Sequence, residues 1–171
     1  MSRKVSYTKA QMVGEILCLA VLFFTALGLW LRWPRIPERI PTHYGFLGEA
    51  DAWGSKDSLW ILWLVQAGLY LLLTVVTLFP KVWNTPVPVT EANRNFVYST
   101  TLSMLIVMKL VIACVFFYLV VIAGGQEKSL GGWFFPVFLI GIFGPLVYFY
   151  RKCSRGARAI ENMAQNGKSA S

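Results

Sequence analysis

The sequence predicts an all-α integral membrane protein of four transmembrane helices. Hydrophobic residues make up 56% of the 171-residue chain and charged residues only 14%, where soluble domains carry about 25% charge. Four apolar runs, at about 12–31, 59–79, 99–123 and 133–150, approach or exceed the roughly 18 residues that span a bilayer. None shows the alternating ten-residue pattern of a barrel strand, and in lipid an α-helix satisfies every backbone group within itself.

Residues 1–11 form a short N-terminal segment, and 12–150 hold the membrane domain. The first run has the flanks of a signal peptide, with Arg3, Lys4 and Lys9 before it and small Ala26 and Gly28 near its end. Its apolar core is too long for one, and Trp30, Leu31 and Trp33 follow any cleavage point, so it reads as a retained signal anchor. The loop at 32–57 is long for a connector, and loops of that length are functional or disordered. Pro34, Pro37 and Pro41 stiffen its first half, and Ile36, Ile40, Tyr44, Phe46 and Trp53 supply apolar contacts that disorder lacks. An ordered cap over one mouth of the bundle follows, with Asp57 or Ser55 capping the second helix and Trp60 and Trp63 in the interfacial belt.

The connector from Pro80 to about Tyr98 begins extended at Pro86 and Pro88. Thr90 is a good N-cap and Glu91 suits the first turn, so the third helix is expected to start near Glu91. The fourth span is interrupted by Pro136, Gly141, Gly144 and Pro145, which fits a kink or a close-packing face. Residues 151–171 are a basic tail.

Basic residues set the orientation. Ten Lys and Arg flank the ends of the spans on the side of the termini, and five flank the other side, which places both termini in the cytoplasm and the 32–57 loop outside. The net charge of +8 sits beside membrane ends, where each basic residue gains about 1 kcal/mol from anionic lipid. The partners this implies are the bilayer and, at the basic tail, anionic lipid, and nucleic acid is not among them. Cys18 and Cys114 fall in spans and Cys153 in the tail, so no disulfide is expected.

Chemistry concentrates in two places. The loop carries the chain's single histidine, and turns at Gly45 and Gly48 would fold Glu49 and Asp51 back toward His43, with Lys56 beside them. These four side chains either staple the loop to itself or recognise a ligand. A zinc site needs three or four ligands from His, Cys, Asp or Glu, and with one histidine and no outward cysteine available a metal is disfavoured there; neither a metal nor a cofactor is expected. The second place is Lys109, at mid-span. A lysine there costs roughly 2.5–3.5 kcal/mol to insert, so it faces the bundle interior and finds a partner. Glu15 and Gln66 are the intramembrane polar residues nearest in depth.

The order Pro41-Thr42-His43-Tyr44, Gly48-Glu49-Ala50-Asp51, Trp53-Gly54-Ser55-Lys56 before an apolar span resembles the bacterial membrane family known as domain of unknown function 1648, which also forms the N-terminal part of SdpI-type immunity proteins. The likeness continues through Asn84-Thr85-Pro86-Val87-Pro88-Val89-Thr90-Glu91-Ala92-Asn93 and Lys109. Where family members often carry Phe-Asn after the histidine, this chain has Tyr44-Gly45. The resemblance implies a bacterial cytoplasmic-membrane protein that recognises a toxin, peptide or envelope ligand, with immunity or signalling as the output. A small transporter using Lys109 and Gln66 is the competing class, and a membrane-embedded enzyme stands third.

Overall fold

The computed structural model describes residues 7–169. Arg3 and Lys4, which enter the orientation count, lie outside the described residues, as does the side chain of Lys168. Four helices carry the fold: α1 (Lys9–Arg32), α2 (Ser58–Thr77), α3 (Arg94–Gly124) and α4 (Phe134–Ser169). All four are long and apolar enough to cross a membrane, and large apolar side chains such as Phe23, Ile61, Leu71 and Ile140 are exposed along them. That outward surface suits lipid as its solvent. The chain is a multi-pass membrane protein.

The all-α expectation needs one correction. Residues Arg39–Tyr44 (β1) and Ala50–Ser55 (β2) pair as an antiparallel hairpin. The register runs from Arg39 opposite Ser55 to Tyr44 opposite Ala50, with irregularities on either side of His43. Pro41 is tolerated because each strand of a two-stranded sheet is an edge. Gly48 turns the chain at φ +84°, a left-handed conformation that favours glycine. The hairpin is anchored twice. Ile40 is buried with Ile36 among Leu29, Leu59, Val120 and Ala123, and the tip is hydrogen-bonded to the α3–α4 loop through Ala50 N–H to Lys128 C=O and Leu130 N–H to Gly48 C=O, both 2.8 Å.

The hairpin closes one mouth of the bundle, here the hairpin end; the other is the terminal end. Helix α3 packs on α1, α2 and α4 and forms the centre. Glycines permit close approach at two of these seams. A Cβ on Gly14 would stand 2.6 Å from Ile106 Cγ2, and one on Gly141 would stand 3.3 Å from Val111 Cγ1, which supports the close-packing reading of the fourth span. Trp33, Trp60 and Trp63 cluster at the hairpin end, with ring centroids 5.8 and 6.0 Å apart.

The helix starts differ from expectation in instructive ways. Helix α1 has a capping box in which Thr8 Oγ1 accepts from Gln11 N–H and Gln11 Oε1 accepts from Thr8 N–H. Gln11 then uses its amide to donate to Ser99 C=O and Ser103 Oγ, both 2.9 Å. Asp57 precedes α2, but its carboxylate accepts from Ser55 Oγ instead of capping the backbone. Thr90 does not cap α3; Asn93 precedes it. Residues 90–93 are held as a turn because Asn93 accepts from Thr90 N–H and donates to Pro88 C=O and to Glu161. Helix α4 runs on through the basic segment to Ser169.

Candidate functional site

The intramembrane residues converge. Lys109 lies on α3 with 2% of its surface exposed. Its ammonium donates to Glu15 Oε1 on α1 at 2.6 Å and to Thr74 Oγ1 on α2 at 3.0 Å. Tyr70 O–H donates to the second Glu15 oxygen at 3.1 Å, and the Tyr70 ring lies 5.0 Å from the ammonium. Helical side chains lean toward their own N-terminus, which carries Lys109 from the centre of α3 toward the terminal end, where Glu15 waits on α1. Three helices are thereby tied at one point.

Gln66 is adjacent but not joined to the pair. Its amide donates to Ala113 C=O at 3.1 Å, while Oε1 is buried and is the one such oxygen among the described residues without a partner. A cavity of about 10 Å³, which Lys109 also lines, borders it and suits about one water molecule. Tyr70 and Thr74 were not anticipated from the sequence, although the signal is present: Gln66, Tyr70 and Thr74 recur at i, i+4 and i+8 and form a polar stripe on one face of an otherwise apolar helix.

The structure divides the loop cluster. His43 Nδ1 and Asp51 Oδ1 meet at 2.5 Å near the tip, with side chains 69% and 52% exposed. Lys56 lies at the base, where it pairs with Glu38 at 2.7 Å and stands 5.0 Å over the Trp33 ring. The register explains the split, since three ladder positions separate His43 from the Arg39–Ser55 pair and successive residues advance about 3.4 Å. Glu49 contributes its backbone carbonyl, which accepts from Gly45 N–H at 2.8 Å, and its side chain is exposed.

Phe46 and Leu47 form the turn. Both are more than three-quarters exposed, and the Phe46 ring stacks on Phe135 of α4 with centroids 5.7 Å apart. Tyr44 donates its hydroxyl proton to Glu127 C=O at 3.0 Å. Burial, reinforced by the charge of Glu127 and by Tyr118, pushes this phenol up to about 12, so the donor is kept at physiological pH. The tip thus presents a fixed imidazole–carboxylate pair beside two apolar side chains, on a hairpin stitched to the α3–α4 loop.

Residues 19–67 match the family described as Domain of unknown function (DUF1648). This segment carries that domain. DUF1648 here comprises most of α1, the whole hairpin and the first half of α2. His43, Glu49, Asp51, Lys56 and Gln66 lie inside it, whereas Glu15, Tyr70, Thr74, the Asn84–Asn93 segment and Lys109 lie outside. Neither the curated proteins nor the solved structures contain a match to the chain.

Proposed function

We propose that this multi-pass membrane protein is a recognition protein of the bacterial cytoplasmic membrane, whose DUF1648 hairpin faces outward and binds a toxin, a peptide or another envelope ligand, with protection or signalling as the output. The observation that supports it is an exposed yet fixed polar pair. His43 and Asp51 hold one another at 2.5 Å while more than half exposed, and binding residues concentrate on loops held by rigid scaffolds. The ten-to-five distribution of basic residues supports the outward orientation. The resemblance of the hairpin segment to the N-terminal part of SdpI-type immunity proteins supports protection as an output. Transport would require an open polar path, but Lys109 and Glu15 are closed on one another and the cavity beside them suits about one water.

The test is a challenge of cells expressing the chain with a panel of envelope-active peptides. His43→Ala and Asp51→Asn are expected to abolish the protection or response seen with the parent chain, at unchanged membrane abundance. Lys56→Met, at the hairpin base, is expected to retain most of it. Loss of abundance and response in parallel for the two tip variants would identify the pair as a structural staple.

A further inference from the structure

The fourth span is short for the bilayer it crosses. Helix α4 is apolar from Phe134 to Tyr150, 17 residues ahead of Arg151 and Lys152, whereas about twenty cross the hydrocarbon core. Its start also lies low against α3. Phe134 stacks on Tyr118, with ring centroids 5.4 Å apart, and Gly141 faces Val111, seven residues from that contact on each helix. Tyr118 precedes the end of α3 at Gly124 by six residues, about 9 Å of helix. Leu119, Val120, Val121, Ile122 and Ala123 keep that stretch apolar. Hydrocarbon that covers α3 to this height therefore stands above the first turn of α4.

The hairpin tip occupies that place. Leu130 ties it down, because its C=O accepts from Tyr118 O–H and its N–H donates to Gly48 C=O, both 2.8 Å. Phe46 then stacks on Phe135, with centroids 5.7 Å apart. Phe135 shares a helix face with Leu139 and Phe143, four and eight residues on, and both of these are exposed on the membrane span. Phe46 is 86% and Leu47 80% exposed, more than any other large apolar side chain among the described residues. The two therefore lengthen the lipid-facing stripe of α4 on the side where it is short. The backbone of the turn suits such a place. Gly45 N–H donates to Glu49 C=O and Gly48 N–H to Gly45 C=O, both at 2.8 Å, so these groups leave bulk water without losing a partner.

We propose that the Phe46–Leu47 turn inserts into the interfacial layer of the bilayer and makes direct contact with phospholipid. The hairpin then lies across the mouth of the bundle, with its tip at the level of the upper acyl chains and the His43–Asp51 pair on the water side of it. Continuity with the lipid-covered face of α4 names phospholipid as the occupant. Insertion also offsets the short span, since a bilayer otherwise has to thin around a helix that does not reach across it. The contact holds whether or not the His43–Asp51 pair recognises a ligand.

The test places a nitroxide label at Leu47→Cys, Ala52→Cys or Leu139→Cys in the full chain, with its three native cysteines replaced by serine, in phosphatidylcholine bilayers. Electron paramagnetic resonance compares collisions with oxygen, which concentrates in lipid, and with a water-soluble nickel complex. The oxygen-to-nickel ratio at position 47 is expected to lie several-fold above that at 52 and to approach that at 139, on the lipid-facing stripe. Phe46→Cys, the other tip position, is expected to follow 47. A ratio at 47 equal to that at 52 would leave the tip in water and overturn the proposal. Low collision with both reagents, together with dipolar broadening between labels, would assign the surface to a second copy of the chain and overturn it equally.

Discussion

Lys109→Leu loses about 3 kcal/mol or more of stability in detergent, the scale on which removal of one partner from a buried ion pair is felt, and adding Glu15→Leu restores most of that loss. The sign follows from what each variant leaves behind. Lys109 and Glu15 meet at 2.6 Å with side chains 0% and 16% exposed, and the remaining partner of the carboxylate is the Tyr70 hydroxyl. The single variant leaves an anion among three apolar helices with one neutral hydrogen bond to support it. The double variant removes both charges and fills the space with aliphatic volume, which in other buried pairs is neutral or favourable. Thermal unfolding of the parent, both single variants and the double variant closes the cycle. Simple additivity would mean that the two groups do not act as a pair.

Asn93→Ala is expected to cost about 1–3 kcal/mol, because it removes a fully buried side chain and leaves Thr90 N–H, Pro88 C=O and Glu161 short of a partner. Asn93→Asp is expected to be worse, since it places a second carboxylate against Glu161 at the site of a 2.8 Å contact. The loss should be local. Around the clamp, Val97 packs with Cys153 and Ala157 of α4, and their release should raise hydrogen exchange in the segment after Arg151 while leaving the exchange of α1 and α2 unchanged. Equal effects of alanine and aspartate, or unchanged exchange at 153–161, would show that Asn93 does not fasten the helix extension.

The membrane architecture was legible because lipid imposes one rule on every span: twenty apolar residues in a row. The Lys109–Glu15 pair was legible for the same reason, since a buried charge needs a partner and the apolar spans leave few residues to serve. The hairpin was not legible. Its strands, Arg-Ile-Pro-Thr-His-Tyr and Ala-Asp-Ala-Trp-Gly-Ser, lack a clean period of two, and their pairing depends on bonds to the distant loop at 127–130. The separation of Lys56 from His43 depends on that register and cannot be read from spacing along the chain. Hydropathy ends the fourth span near Tyr150, but a helix needs only backbone continuity, and packing of Cys153 and Ala157 against Val97 carries α4 onward.

The side of the membrane that the hairpin faces decides whether it can meet an envelope ligand. Ala52, exposed opposite His43, and Ala164, exposed on the extension of α4, report the two ends when each is replaced by cysteine in a chain whose three native cysteines are serine. In intact cells, a membrane-impermeant thiol reagent is expected to label Ala52→Cys at once and Ala164→Cys only after permeabilisation. Labelling of Ala164→Cys with protection of Ala52→Cys would place the hairpin in the cytoplasm and contradict an outward recognition surface.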